Sequence, residues 1–87
     1  MPEGVRQALR EVYAVLDRMP VDERLAFALR LIDGMPLAEA AAAMRVSLAT
    51  FKRKLQRAER RFLSEVERSP NLREYMQEGS RWQGKQA

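Results

Sequence analysis

The side chains best equipped for chemistry gather in one short stretch. Ser47, Thr50, Lys52, Arg53, Gln56, Arg57 and Arg60 bring two hydroxyls, one amide and four cations into a few helical turns. Arginine forks onto guanine or phosphate, lysine meets phosphate as a point charge, and glutamine can bond a base edge. The chemistry of this set is the grip of a polyanion, not bond making. The rest of the chain supports that reading by what it lacks. There is no His and no Cys, which removes imidazole acid–base catalysis, thiolate nucleophiles and Cys/His zinc sites together. The carboxylates Asp17, Asp22, Glu23 and Asp33 flank expected helix ends, where capping and the helix dipole account for them. A conventional enzyme is therefore not expected, nor is a cofactor, a metal or a small-molecule substrate.

Charge is segregated along the chain. The formal net charge is +4 and the isoelectric point about 10.1. Between Arg45 and Phe62 stand Arg45, Lys52, Arg53, Lys54, Arg57, Arg60 and Arg61 against Glu59 alone, leaving the remainder net acidic. Basic charge concentrated on one element is the electrostatic footprint of a nucleic-acid binder. The plainer reading is a solvated helix face whose arginines offset acidic neighbours. Acidic partners at i±4 are nearly absent here, which weighs against it.

The elements that must position these residues are short helices between clear breakers. At 87 residues and 10.1 kDa the chain has room for one small domain. Val5, Leu9, Val12, Tyr13 and Leu16 recur at helical spacing from Val5 to Arg18. Met19-Pro20 ends that helix, and Pro20 suits the first turn of the next, with Asp22 and Glu23 against its positive end. In this second helix Leu25, Ala28, Leu29 and Ile32 form one apolar face, while Phe27 and Leu31 form another. A helix apolar on two sides lies either inside a core or at a docking surface, so Leu25, Phe27 and Leu31 are candidates for contact with a protein partner. Asp33-Gly34 stops it and Pro36 begins an alanine-rich third helix over Leu37 to Met44. Ser47 is a good N-cap for a long helix from Leu48 to about Glu67, although Thr50 stands where a full capping box would place Glu. Ser69-Pro70 ends the compact part and can cap a short last helix over Asn71–Gln77. The tail beyond it has only Trp82 to pack. The expected division is a domain over 1–68 and an extension over 69–87, with a short helix and a frayed end.

A short helix, a three-residue turn and a longer basic helix make a helix-turn-helix. Phe51, Leu55, Ala58 and Phe62 repeat at i, i+4, i+7 and i+11 and fix the buried stripe of the long helix. The opposite half then carries Ala49, Lys52, Arg53, Gln56, Arg57 and Arg60, with Arg61 flanking it. Ala41 faces the second helix, and Met44, Val46 and Phe51 plug the angle between third and fourth. The expected fold is an all-α bundle of four to five helices containing a helix-turn-helix and no wing.

The runs from Leu16 through Pro20 to Arg24, from Asp33 to Ala41 and from Val46 to Ala58 together resemble region 4 of bacterial sigma factors. The similarity is greatest to the extracytoplasmic-function group and covers about residues 5–66. It implies a four-helix domain that recognises the promoter −35 element and docks on the β flap of RNA polymerase, with an anti-sigma factor as a further partner. By position, Lys52, Arg53, Gln56 and Arg57 match the recognition-helix residues that meet DNA, and Ser47 and Thr50 match its cap and backbone-contacting positions. The chain departs from the family pattern at four places. Arg45 stands for the usual turn Gly, Ala40 for Ile, Pro36 for a Ser cap, and Arg53 for a small Ser on the base-reading face. The resemblance leaves two origins open, a fragment of a longer sigma factor or a free-standing protein. Two other functions compete with promoter recognition. One is a free-standing regulator dimerising through Tyr75, Met76 and Trp82. The other is an interaction module that binds polymerase or an anti-sigma protein through its second helix. No apolar run approaches a membrane span and the start has no signal-peptide pattern, so a cytoplasmic location without membrane contact is expected.

Overall fold

Pro20, Gly34 and Pro36 fall between helices, and Pro70 opens the last one. The computed structural model describes residues 3–79, arranged as α1 (Glu3–Arg18), α2 (Val21–Phe27), α3 (Leu37–Met44), α4 (Leu48–Arg68) and α5 (Pro70–Gly79). Helix α2 continues without interruption into a π-helical turn, Ala28–Ile32. No strand occurs among the described residues, so the fold is the expected all-α bundle with its helix-turn-helix and without a wing. The expected frayed end and Trp82 lie outside the described residues.

Two prolines act as N-caps. Pro20 and Pro36 precede α2 and α3 with extended ψ angles of 148° and 146°, and their carbonyls accept the first helical hydrogen bonds, from Arg24 and Ala40. The sequence reading placed them inside the first turn; they sit one step before it, where a fixed φ near −57° is equally suitable. Gly34 at φ 76° closes the second helix, a conformation that costs glycine nothing.

The core has two lobes strung along α4. One holds Ala8, Val12, Val15 and Leu16 of the first helix, and Met19 just past its end, against Phe27, Ala58, Phe62, Val66 and Leu72. The other holds Ala26, Ala40, Ala41, Phe51 and Leu55. Half-buried Leu31 packs against both. Phe51, Leu55, Ala58 and Phe62 are all buried on one stripe, as their spacing requires, and Val66 extends it. Ala40 and Ala41 are small enough to let α3 approach closely, and Met44 and Val46 fill the angle beside them.

Two sequence expectations about faces need correction. Tyr13 is 62% exposed, while Ala8 and Val15 take the inner face of α1. The inner stripe runs 8, 12, 15, 16, 19, and the tyrosine hydroxyl stays in water with its ring. On α2, Phe27 is 1% exposed and its ring lies 4.9 Å from that of Phe62. It is core, not docking surface. Leu25 of the same candidate set is 47% exposed, and Leu31 is half-buried between the lobes.

Helix α5 belongs to the larger lobe. Leu72 is 1% exposed, and Tyr75 and Met76 pack against the same cluster. Ser69 caps it: its hydroxyl accepts from the Leu72 amide at 3.2 Å and donates to the Glu11 carboxylate of α1. Asn71 donates to the other oxygen of Glu11 at 3.0 Å.

Candidate nucleic-acid interface

The turn between α3 and α4 is built by Arg45 and closed by Ser47. Arg45 adopts φ 60° and ψ 42° at the end of α3. Its amide bonds to the Ala42 carbonyl at 3.0 Å and that of Val46 to Ala41 at 3.1 Å, the paired pattern of a Schellman motif. The left-handed residue expected from the missing turn glycine is thus present, and an arginine takes it. Two residues after Arg45, Ser47 Oγ accepts from the Thr50 amide at 3.1 Å and donates to Thr50 Oγ1 at 3.0 Å. Arg53 Nη2 donates to the same Thr50 oxygen at 3.1 Å. Ser47, Thr50 and Arg53 are therefore linked in one hydrogen-bonded string that fixes the guanidinium at the head of the helix.

Lys52, Arg53, Gln56, Arg57 and Arg60 are all exposed, with Ser47 beside them and Thr50 half-buried. The structure brings all seven candidates onto the outer side of one turn and one helix. Lys52, Arg53, Arg57 and Arg60, like Arg45 in the turn, have no carboxylate partner among the described residues, whereas Lys54 and Arg61 do. Lys54 pairs with Asp22, and Arg61 Nε donates to Glu23 Oε1 at 2.7 Å. Both acids sit in the first turn of α2. The sequence held a signal for this in Asp22-Glu23 opposite Lys54 and Arg61, but it lies between helices, not at i±4 on one helix. The bond from Lys54 holds the Asp22 carboxyl below its ordinary value.

Glu23 is the buried charged residue of the described chain, with 6% of its surface exposed. Arg61 satisfies it, so Arg61 is a clamp between α2 and α4 and not simply part of a basic face. On the other flank, burial pushes the Glu59 carboxyl up while the Arg30 charge pulls it down. The division of labour is clean. Lys54 and Arg61 tie α4 to α2, while Lys52, Arg53, Arg57 and Arg60 stay exposed on its outer ridge.

An apolar groove opens beside the turn. Val21, Leu25, Leu29, Met44 and Val46 line it, with the Lys54–Asp22 pair at its rim. Val21 and Leu25 are exposed here, and Val21 escaped the sequence reading because a lone valine after proline carries no periodic signal. No group of acidic residues among the described residues is arranged to hold a metal ion. No described helix is long and apolar enough to cross a membrane.

With this geometry in view, comparison with known proteins is direct. The family model described as Sigma-70, region 4 matches residues 9–62, more than half of the chain. The match runs from the middle of α1 to Phe62 in α4 and so includes α3, the turn, α4 as far as Phe62 and every one of the seven outer residues. No curated protein and no solved structure matches the chain.

Proposed function

Because the chain belongs to the sigma-70 region 4 family, and is thus a sigma-factor DNA-binding domain, we propose that it recognises the −35 element of promoters and docks on RNA polymerase at the β flap. The family is one of non-enzymatic DNA-binding domains that work with RNA polymerase. The observation that carries the finer reading is the contrast on α4: Lys52, Arg53, Arg57 and Arg60 are exposed without carboxylate partners, while Lys54 and Arg61 are paired. A major groove admits a helix of this kind. Arg53 and Arg57 read base edges with Gln56, and Lys52, Arg60, Ser47 and Thr50 position the helix on phosphates.

Polymerase docking is assigned to the groove at Val21 and Leu25, with Leu31 supporting it from the core side. An anti-sigma factor would compete for the same apolar face. The site of action is the cytoplasm, where promoter DNA and polymerase meet.

Fluorescence anisotropy with a −35-containing duplex tests the reading. Affinity falls steeply with salt, with a log–log slope of roughly −3 to −5 for the four to five cations involved. Arg53→Ala and Arg57→Ala each lose on the order of 1–3 kcal/mol on a preferred sequence and narrow the gap to random DNA. A flat salt response would remove DNA binding and leave an interaction module. In parallel, Leu25→Asp abolishes association with polymerase while leaving the DNA affinity of the domain unchanged; loss of both together would sink the docking assignment.

A further inference from the structure

A second cationic feature lies outside the helix-turn-helix, where the C-terminal end of α1 meets the middle of α4. Arg18, Arg60, Arg61 and Ser64 surround an open cleft of about 360 Å³ floored by Val15 and Met19. Arg18 Nη2 rests on Glu65 Oε1 at 3.0 Å, and Arg68 approaches the other oxygen of that carboxylate at 3.6 Å. Arg61 is committed to Glu23. Arg60 has no ion-pair partner among the described residues, and it faces a cleft that also presents a hydroxyl. The arginines gather over the buried side chains of Val15 and Met19, and with Glu65 and Glu23 answering Arg18 and Arg61, the Arg60 charge is the one left for an added anion.

The position of the cleft along α4 identifies the anion. Arg53, Arg57, Arg60 and Ser64 stand at i, i+4, i+7 and i+11. That is the spacing of the buried stripe moved two residues along, and two residues turn the helix by about 200°, so they form one outer ridge directly opposite the core. From Arg53 to Ser64 is about 16 Å along the axis at 1.5 Å per residue. The major groove is about 12 Å wide. A helix that places its N-terminal residues on base edges thus carries Arg60 and Ser64 to the groove wall, where the sugar–phosphate strand runs.

We propose that this cleft is a phosphate site, occupied by a backbone phosphate of the bound duplex, and that Arg18 of α1 is a DNA contact from outside the helix-turn-helix. The inference rests on the DNA-binding reading and extends it from the helix-turn-helix to α1. Glu65 holds Arg18 in the free protein, and the phosphate takes its place in the complex. Arg18 is 60% exposed in its side chain, so its substitution leaves the fold intact.

The test measures duplex affinity across a salt series for wild type, Arg18→Ala, Ser64→Ala, Arg68→Ala, Glu65→Gln and Arg53→Ala, with circular dichroism confirming that each is folded. Arg18→Ala weakens binding several-fold and lowers the salt slope by roughly 1. Arg68→Ala removes the same charge from the same carboxylate but lies outside the cleft, and changes binding less. Glu65→Gln frees Arg18 and strengthens binding several-fold, and this gain disappears in the Arg18→Ala background. Equal effects of Arg18→Ala and Arg68→Ala, with Arg53→Ala still harmful, overturn the cleft assignment alone. If Arg53→Ala is silent too, the DNA reading has failed and the cleft falls with it. Inorganic pyrophosphate supplies the last arm. Should it perturb the Arg18 and Arg60 side-chain resonances while Arg18→Ala leaves duplex affinity untouched, the cleft holds a free phosphate ligand and the backbone assignment is wrong.

Discussion

At the scale of single residues, Arg45 and Arg61 are the two arginines with the greatest structural consequence. Arg45 is the non-glycine residue with positive φ among those described. A side chain in that region costs roughly 1–2 kcal/mol from contact between Cβ and the following carbonyl, and glycine gives back part of the relief through its freer unfolded chain. Arg45→Gly is therefore expected to stabilise the domain by about 0.5–1 kcal/mol, raising Tm by about 2–8 °C, while Arg45→Ala keeps the strain. Thermal melts of both variants decide it, and equal Tm values would mean that the turn is not strained. Arg61 works in the opposite sense. Removing it strands the Glu23 carboxylate at 6% exposure, so Arg61→Ala costs about 1–3 kcal/mol. The double variant Arg61→Leu/Glu23→Leu recovers most of that loss, because the penalty comes from the unpaired charge and not from the missing contact. Urea titrations of the single and double variants measure the difference. A double variant as unstable as the single would assign the cost to lost packing. Sequence alone suggests that Arg61 flanks the DNA-facing ridge and acts on all DNA alike; its bond to Glu23 makes stability its first role.

At the scale of the element, α4 was readable almost residue by residue, and the helices around it were not. Phe51, Leu55, Ala58 and Phe62 form one continuous stripe along a mostly charged helix, with Leu48 and Leu63 as isolated apolar residues off it, so one phase fits best and the outer residues follow from that phase. Helix α1 offers Leu9, Val12, Tyr13, Val15 and Leu16, enough apolar residues for two neighbouring phases, and the choice is made by what packs against it. Leu72 and Met76 of α5 help to make that choice, and they are distant in sequence. On the second helix the π-helical turn Ala28–Ile32 adds one residue to the turn, so a constant 100° step drifts out of phase. Leu31 and Ile32, at the end of that turn, are the residues whose phase a regular wheel misplaces, while Leu25 and Phe27 keep their opposite faces and packing alone decides that Phe27 is the buried one. Helix α5 itself is held by a polar latch invisible to periodicity, the Glu11 carboxylate receiving Ser69 and Asn71. Those bonds, led by that from Ser69, hold the Glu11 carboxyl below its ordinary value. A carboxyl lowered in the folded state stabilises above its unfolded pKa, and that contribution is lost as pH falls through the folded value. Amide exchange at Leu72 is thus expected to accelerate as pH drops below the normal carboxylate range, after correction for intrinsic rates. Glu11→Gln should be faster at neutral pH and flat across that window. A wild-type profile as flat as that of the variant would show that the latch does not hold α5.

At the scale of the whole molecule, the domain is an elongated body of 39 × 26 × 20 Å whose two core lobes share α2, α4 and one leucine. The ligand-facing ridge of α4 crosses both lobes, since Lys52 and Arg53 sit over the smaller and Arg60 over the larger. A DNA-binding surface of that kind keeps its geometry only if the lobes do not move independently. Three features couple them: the unbroken α4, Leu31 packed on both clusters, and the clamps from Asp22 and Glu23 to Lys54 and Arg61. The domain should accordingly unfold as one unit, and damage in either lobe should be felt in the other. Phe51 is the sharpest probe. It is 0% exposed and its lobe is otherwise built largely from alanines, which are too short to fill the space it would leave. Phe51→Ala is expected to cost about 3–5 kcal/mol, set against a total on the order of 5 kcal/mol for a domain of this size. The variant should therefore lose its cooperative melt altogether by circular dichroism, and amides of α1 and α5, in the lobe Phe51 does not touch, should lose protection together with those of α3. Leu31→Ala, at about 2 kcal/mol for a half-buried leucine, should lower Tm while keeping a single transition. Retained protection in α1 and α5 with α3 exposed in Phe51→Ala would show two independent lobes. In that event the ridge from Arg53 to Ser64 would not be one rigid surface, and contacts at its two ends would have to be counted as separate binding steps.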